Sequence, residues 1–192
     1  KKLKKIDQYK KFIELAHFID PNNIEIIYEL GLFYMLVNEI KTSLIYFEKI
    51  SQYKKSDLNF VLNICNAYLR FRKSKKVINI CLQFIENNNP NYFLLNTLAV
   101  AYKTIDDFFK AKLYLYKSVK LNPKYFQGHR NLSTLINYKA GHKHFVQMRL
   151  LYDNANNTDN RDIDLNLALS KAYKDIKNYK KSFFHLQIAN SY

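Results

Sequence analysis

Tryptophan is absent from this 192-residue chain, and glycine and proline occur only three times each. So few turn-formers exclude an architecture of many short strands joined by Gly/Pro turns and favour long helices with short polar connections. Isolated Gly31, Gly128 and Gly141 also exclude a glycine-rich phosphate loop. Only two cysteines are present, Cys65 and Cys81, and both fall at apolar positions, so buried free thiols are expected rather than a disulfide, together with a cytoplasmic location. No apolar run is long enough to span a bilayer. The basic start KKLKKI is not followed by the apolar core of a secretory signal, because Asp7, Lys10, Lys11 and Glu14 interrupt it. An initiator methionine is missing too, from which a trimmed N-terminus is expected. Acidic residues are scarce, 16 against 31 basic ones, leaving a formal charge of +15. Such an excess admits an electrostatic RNA or anionic-surface binder. The cations are mostly lysine, however, abundant together with Asn, Ile and Tyr, as an AT-rich coding sequence produces. Arginine, with its bidentate phosphate fork, is limited to Arg70, Arg72, Arg130, Arg149 and Arg161. No DNA partner is expected.

What is present is a period. Tyr92–Tyr125 carries Leu98, Ala99 and Tyr102 on one face of a first helix and Ala111, Leu115 and Ser118 on one face of a second, ended by Leu121-Asn122-Pro123. Tyr34, Tyr68, Tyr102 and Ile136 recur every 34 residues. Each follows a large-small pair: Leu30-Gly31, Ile64-Cys65, Leu98-Ala99 and Leu132-Ser133. A further copy, Leu169-Ser170 with Tyr173, comes 37 residues after Ile136, so one repeat contains three extra residues. This comb resembles the tetratricopeptide repeat (TPR) pattern L-G-x2-Y, A-x3-F, P.

The resemblance implies an all-α, right-handed α-solenoid of about five and a half helix-turn-helix units. On this register the chain is a single solenoid: residues 1–21 supply the second helix of a partial repeat, and 24–57, 58–91, 92–125, 126–162 and 163–192 are repeats. A start inside an array and an end without a polar capping helix lead to the expectation of a fragment of a longer protein. Gly31 in mid-helix implies a contact too close for a side chain. In the fifth repeat Ile136 is expected on the first helix, with Met148, Tyr152 and Ala155 on the second and a polar stretch from Asn156 to Asp162.

In TPR proteins the first helices line a groove that takes peptides. The groove-facing positions of the comb are Tyr28, Leu32, Asn59, Asn63, Asn66, Phe93, Asn96, Lys103, Arg130, Asn131, Asn137, Lys171 and Lys174. Asn offers a donor and an acceptor, so it can pair with an extended backbone whatever its sequence. Asn63 and Asn131 are equivalent, resembling the Asn ladder of TPR proteins that hold extended chains, although Glu29, Thr97 and Ala168 interrupt it. Tyr28 and Leu32, or Leu62 and Asn66, stand where a carboxylate clamp would need Lys and Asn, so no chaperone-tail clamp is expected. His129, His142 and His144 lie in the fifth repeat, where the H-x-H pair His142/His144 has no third ligand at a metal-binding spacing, and a solvated loop is expected. No nucleophile elbow or triad is visible. No catalytic, cofactor-binding or metal-binding residue is assigned, and no cofactor is expected.

A second resemblance covers residues 129–190. HRNLS at His129–Ser133, Gly141 with His144, and LNLALSKAYKDIKNYKKSFFHLQIAN from Leu165 to Asn190 look like the segment joining TPRs to the catalytic domain of bacterial TPR-sulfotransferase proteins. The pattern there is similar to H-R-x-L-S, G-D-x-H, A-L-x-K-A-Y-x-D and Y-x-x-A-F-x-H-L-x-x-A-N. This chain departs at His142, where Asp is usual, and at Ser182, where Ala is usual. The resemblance implies a following sulfotransferase domain in the same chain that uses 3'-phosphoadenylyl sulfate, with no catalytic role for any residue here. Two expectations stand beside each other: a non-catalytic peptide-binding scaffold attached to such an enzyme, and a stand-alone interaction scaffold.

Overall fold

The computed structural model describes residues 2–154 and 162–191, with side chains from Ile6 onward. The expected comb position Ala155 and most of the polar stretch after it, 156–161, lie outside the described residues. Those described contain eleven helices and no strand: α1 (Lys2–Ile19), α2 (Ile24–Leu36), α3 (Ile40–Ile50), α4 (Leu58–Arg70), α5 (Ser74–Asn87), α6 (Tyr92–Thr104), α7 (Phe108–Leu121), α8 (Phe126–Ser133), α9 (Lys143–Asp153), α10 (Ile163–Asp175) and α11 (Tyr179–Asn190). They group into two compact units, residues 1–89 and 90–192.

Punctuation is as periodic as the apolar comb. All first helices but α8 begin on a capping side chain: Asn23 Oδ1 accepts from Glu25 N and Ile26 N at 3.1 and 3.3 Å, Asp57 Oδ1 from Asn59 N and Phe60 N at 2.9 and 3.1 Å, Asn91 Oδ1 from Phe93 N at 2.8 Å and Asp162 Oδ1 from Leu165 N at 2.9 Å. Each cap satisfies amides that the first turn leaves without a partner. The same helices stop at a left-handed residue, Asn38, Arg72, Asp106 or Lys177, with φ between 55° and 65°. The following amide then folds back onto the comb tyrosine carbonyl: Glu39 N to Tyr34 O, Lys73 N to Tyr68 O, Asp107 N to Tyr102 O and Asn178 N to Tyr173 O, at 2.8–3.0 Å. Such a wrapped end satisfies an orphan carbonyl and turns the chain into the second helix within a few residues.

In the first unit, α2 and α3 meet where Gly31 faces Phe47. A Cβ on Gly31 would stand 2.4 Å from the Phe47 ring, so the contact is indeed too close for a side chain. Ser43 Oγ seals it by donating to Gly31 O at 2.7 Å. Ile13, Leu30, Phe33 and Tyr34 form a core cluster, and Tyr34 stacks on Tyr46 with centroids 5.5 Å apart. Cys65 and Cys81 are buried and free, their sulfurs 3.8 Å apart; the contact with Cys81, and then burial, push the Cys65 thiol up.

In the second unit, α6, α8 and α10 contact one another in series, α7 packs on α6 and α8, and α9 and α11 pack on α10. Its core includes Ala99, Leu115, Leu132, Met148, Leu165, Leu169 and Tyr173. Tyr102 stacks on Tyr114 at 5.6 Å, the same arrangement as Tyr34 on Tyr46.

Here one expectation fails. Helix α8 ends at Ser133, so Ile136 is not on it; Ile136–Lys139 is non-helical, although Ile136 and Tyr138 are buried. Side chains compete with the helix at that point. Ser133 Oγ donates to Arg130 O and Thr134 Oγ1 to Asn131 O, both at 2.7 Å, a back-bonding pattern that weakens helix continuation. The backbone so released is taken up by α10: Tyr138 N donates to Asp175 Oδ2 at 2.9 Å, and Lys171 Nζ donates to Ile136 O.

Candidate functional site

The groove positions sort into two sets, one per unit. In the first, Tyr28 on α2 and Asn63 on α4 are bonded, Asn63 Nδ2 donating to Tyr28 Oη at 2.8 Å. Lys54 Nζ lies 5.1 Å from the Tyr28 ring centre and 2.8 Å from Glu25 Oε1. Asn59 and Asn66 are exposed on α4, and Leu32 is partly buried.

In the second unit the bonding is denser. Asn131 Nδ2 on α8 donates to Asn96 Oδ1 on α6 at 2.8 Å, and Asn96 is only 7% exposed. Lys103 Nζ donates to Thr134 Oγ1 at 2.8 Å. Arg130 Nη1 meets Asp164 Oδ1 at 2.8 Å on an exposed edge. Lys171 is engaged by Ile136 O and by Asp175 Oδ2, the latter at 2.5 Å. Phe93, 41% exposed, packs against Tyr92 and Tyr125 with centroids 4.3 and 5.0 Å away. Burial, and then the charge of Asp164, raise the Tyr125 hydroxyl to about 12. Lys174 is exposed, and Asn137 is exposed on the non-helical segment rather than on a helix.

Within each unit, first helices are therefore cross-linked through residues expected to face a ligand, α2 to α4 in the first and α6 to α8 to α10 in the second. Tyr28 to Asn63 and Asn96 to Asn131 are each 35 residues apart, and Arg130 to Asp164 is 34. The pairing has a sequence signal, since polar side chains one period apart on adjacent first helices meet side by side, but it requires the register before it can be read. Asp164, Thr134 and Asp175 are the partners that reading the comb for a ligand alone omits. What stays open toward solvent is Asn59 and Asn66 in the first unit, and Phe93 and Lys174 in the second. Neutral amides, one aromatic face and an ammonium suit a polypeptide backbone and side chains; they supply no nucleophile-base pair.

Two of the three histidines of the fifth repeat, His129 and His144, do not lie in a solvated loop. His129 and His144 are buried, and Nδ1 of the first is 2.8 Å from Nε2 of the second. His129 Nε2 is 2.9 Å from Pro123 O, and His144 Nδ1 is 2.7 Å from Tyr138 Oη. A carbonyl only accepts, which assigns every proton in the chain. His129 Nε2–H donates to Pro123, His144 Nε2–H donates to His129 Nδ1, and the Tyr138 hydroxyl donates to His144 Nδ1. Burial, followed by the neighbouring His129 and His142, lowers His144 to about 3. Burial also lowers His129, against the opposing Pro123 bond, and raises Tyr138. A second buried link joins α10 to α11, His185 Nδ1 donating to Asn166 Oδ1 at 2.8 Å. His142 alone keeps the expected position near the surface, capping α9 by accepting from His144 N at 3.2 Å. Among the described residues, no group of three His, Cys, Asp or Glu could hold a metal ion, and no helix is long and apolar enough to cross a membrane.

No family model matches the chain, and no curated protein sequence matches it. Solved structures do. The chain is similar to YrrB, described as a TPR protein with an unusual peptide-binding site, at 15% identity over 93% of this chain and 91% of that one, with a TM-score of 0.61. A structure of MamA from Desulfovibrio magneticus RS-1 is 12% identical over 97% of this chain and 86% of that one, TM-score 0.62. A tetratricopeptide repeat protein from Parabacteroides merdae is 10% identical over 99% and 73%, with a TM-score of 0.72. At these identities the likeness establishes the fold.

Proposed function

We propose that this chain, which has the tetratricopeptide-repeat fold, is a non-catalytic scaffold that holds a protein or peptide on the face of its first helices. The carrying observation is that within each unit the first helices are cross-linked by polar side chains, with Asn59 and Asn66 left facing solvent in one unit and Phe93 and Lys174 in the other. A face held rigid before binding loses less conformational freedom on capture. YrrB, with the same fold, is described as having a peptide-binding site. Each unit offers its own candidate positions: Tyr28, Asn59, Asn63 and Asn66 in one, and Phe93, Asn96, Lys103, Arg130, Asn131, Lys171 and Lys174 in the other. Among these Asn63, Asn96, Asn131 and Lys171 hold the helices, and the exposed residues make the contacts. The repeats run 24–57, 58–91, 92–125, 126–162 and 163–192 behind the partial repeat 1–21, as one cytoplasmic domain.

Panning a random phage-displayed peptide library on the chain, then measuring the selected peptide by calorimetry, tests this reading. N59A/N66A for a peptide held by the first unit, or K174A for one held by the second, should weaken binding at least about fivefold, the loss of a net hydrogen bond or more. Absence of any enriched peptide, or affinities unchanged in all variants, would overturn it.

The finer part of the proposal is that this scaffold belongs to the N-terminal region of a bacterial sulfotransferase-like protein. Its support is the match from His129 to Asn190, whose residues outside the comb include the bonded His129 and His144. A tethered active site would then see its acceptor at raised effective concentration. The natural full-length protein should bind 3'-phosphoadenylyl sulfate; failure to do so leaves the stand-alone scaffold as the reading.

A further inference from the structure

The second helices of residues 90–192 are built in an unusual way on the side away from the core. A surface helix normally places polar residues opposite its buried stripe. Helix α7 buries Ala111, Leu115, Ser118 and Val119. Helical geometry at 100° per residue then puts Phe109 and Leu113 on the opposite side, where they are 82% and 42% exposed. Helix α9 buries Phe145 and Met148 and exposes Val146 and Leu150 in the same manner. Helix α11 buries His185 and Ala189 and exposes Phe183. Single exposed apolar side chains are ordinary. Apolar residues at the outermost position of three second helices in one unit are a pattern, because each would be kept polar by a face that meets only water.

Charge on these helices is mostly positive, with Asp153 on α9 and the α7 cap Asp107, paired to Lys110 at 3.3 Å, as the acids beside them. Helix α7 contains Lys110, Lys112, Lys117 and Lys120 and no acid. Helix α11 contains Lys180 and Lys181 and no acid. Helix α9 sets Lys143 and Arg149 against Asp153. On α7 the period places Lys117 and Lys120 on the same outer side as Leu113. By contrast, α10 in the row of first helices balances Lys171 and Lys174 with Asp164 and Asp175. The positive charge of this unit is thus concentrated on its second helices, beside the apolar residues.

We infer that the outer face of α7, α9 and α11 binds peripherally to an anionic lipid surface, with Phe109, Leu113, Val146, Leu150 and Phe183 entering the headgroup layer and the lysines meeting lipid phosphate. The chemistry fits this occupant. Peripheral binding adds the burial of exposed apolar side chains to the attraction of nearby Lys for anionic lipid. Lysine is a compact charge on a flexible stem, suited to phosphates that are not fixed in place, whereas arginine suits fixed bidentate partners. Phe109 and Leu113 on α7 and Phe183 on α11 stand on separate helices, while Val146 and Leu150 border a depression with Pro123 and Phe126; a fluid surface can follow both. The face lies on the other side of the helix pairs from the first-helix row, so peptide capture and membrane contact do not exclude one another. The inference does not depend on the peptide-binding proposal.

Co-sedimentation of the full chain with vesicles of 30% phosphatidylserine in phosphatidylcholine, against vesicles of phosphatidylcholine alone, tests it. The expected result is binding to the first and little to the second. Raising salt from about 0.1 to 0.5 M should weaken binding severalfold by screening, without abolishing the apolar part. F109S/L113S/L150S removes three exposed side chains that the fold does not use; it should keep its helical circular dichroism and lose binding by at least about tenfold. K117Q/K120Q should lose about fivefold per lysine. F12S/F18S, on exposed positions of α1, should bind as the natural chain does. Absence of binding to anionic vesicles overturns the inference. So does binding that F109S/L113S/L150S leaves intact, and so does a preference for a homopolymeric RNA that competes the vesicles away completely.

Discussion

The rings of His129 and His144 lie parallel, 5.0 Å between centroids, and share one hydrogen bond of 2.8 Å in a site closed to solvent. Both are held in the neutral form, because the Pro123 carbonyl and the Tyr138 hydroxyl complete a directional chain that has no place for an extra proton without rearrangement.

Stability should therefore fall in mild acid. The folded values of His129, His144 and His185 are lowered, to about 3 for His144 and about 4 for His185, where burial is the first cause and Lys181 adds to it. The unfolded chain binds these protons near pH 6.5. Stability is thus fully present above about pH 6.5 and is lost as pH falls from there toward the folded values, by up to about 1.4 kcal/mol per pH unit for each independently titrating histidine. Urea unfolding at pH 7 and pH 5 should show a fall of that order, and H144F should flatten the profile. A chain equally stable at both would contradict the neutral pair.

Two carboxylates on α10, both bonded to the preceding repeat, should differ sharply in worth. Asp164 pairs with Arg130 on an exposed edge, so D164A should cost about 0.2–1 kcal/mol. Asp175 takes the Tyr138 amide of the non-helical segment and the Lys171 ammonium; D175A strands a part-buried donor and should cost about 1–3 kcal/mol. Equal losses in denaturant titrations of the two variants would argue against the proposed support of residues 136–139.

Gly31 is a packing requirement rather than a conformational one, since its φ is not positive. G31A should destabilise by about 1–3 kcal/mol through the Phe47 ring. The double variant G31A/F47L should recover part of that loss, and a thermal melt of the three proteins reads it.

Arg72 holds φ at 55° in the turn between α4 and α5. Glycine takes this conformation without a Cβ penalty. R72G should therefore raise stability by a few tenths to about 1 kcal/mol, against the added entropy of its unfolded chain. A lowered melting temperature would show that the Arg72 side chain contributes more than its backbone costs.

Much of this architecture could be read from local pattern. Leu98, Ala99 and Tyr102 set a register that also accounts for Gly31 against Phe47, for the free thiols of Cys65 and Cys81, and for the helix pairs on either side. Local rules suffice there because a 34-residue unit repeats its caps, its left-handed turn and its apolar stripe. The fifth repeat departs from pattern. Ile136 keeps its burial but not its helix, because Ser133 and Thr134 turn their hydroxyls onto carbonyls of α8 and because Asp175 and Lys171, more than 30 residues away, take the freed backbone. Phe109 and Phe183 depart in the other direction, being apolar outside the comb and exposed.

By itself, then, the amino-acid sequence determined, outside the fifth repeat, the helix pairs and which stripe of each is buried, since those follow from propensity, capping and period within a few turns of chain. Only tertiary structure decided what the polar groove residues and the histidines do. An asparagine or an imidazole can serve solvent, a ligand or a neighbouring helix equally well, and the choice rests on what stands within 3 Å of it. Asn131 meets Asn96 because adjacent repeats bring residues 35 positions apart into contact, and His144 meets His129 because the two helices of the fifth repeat do the same for residues 15 apart.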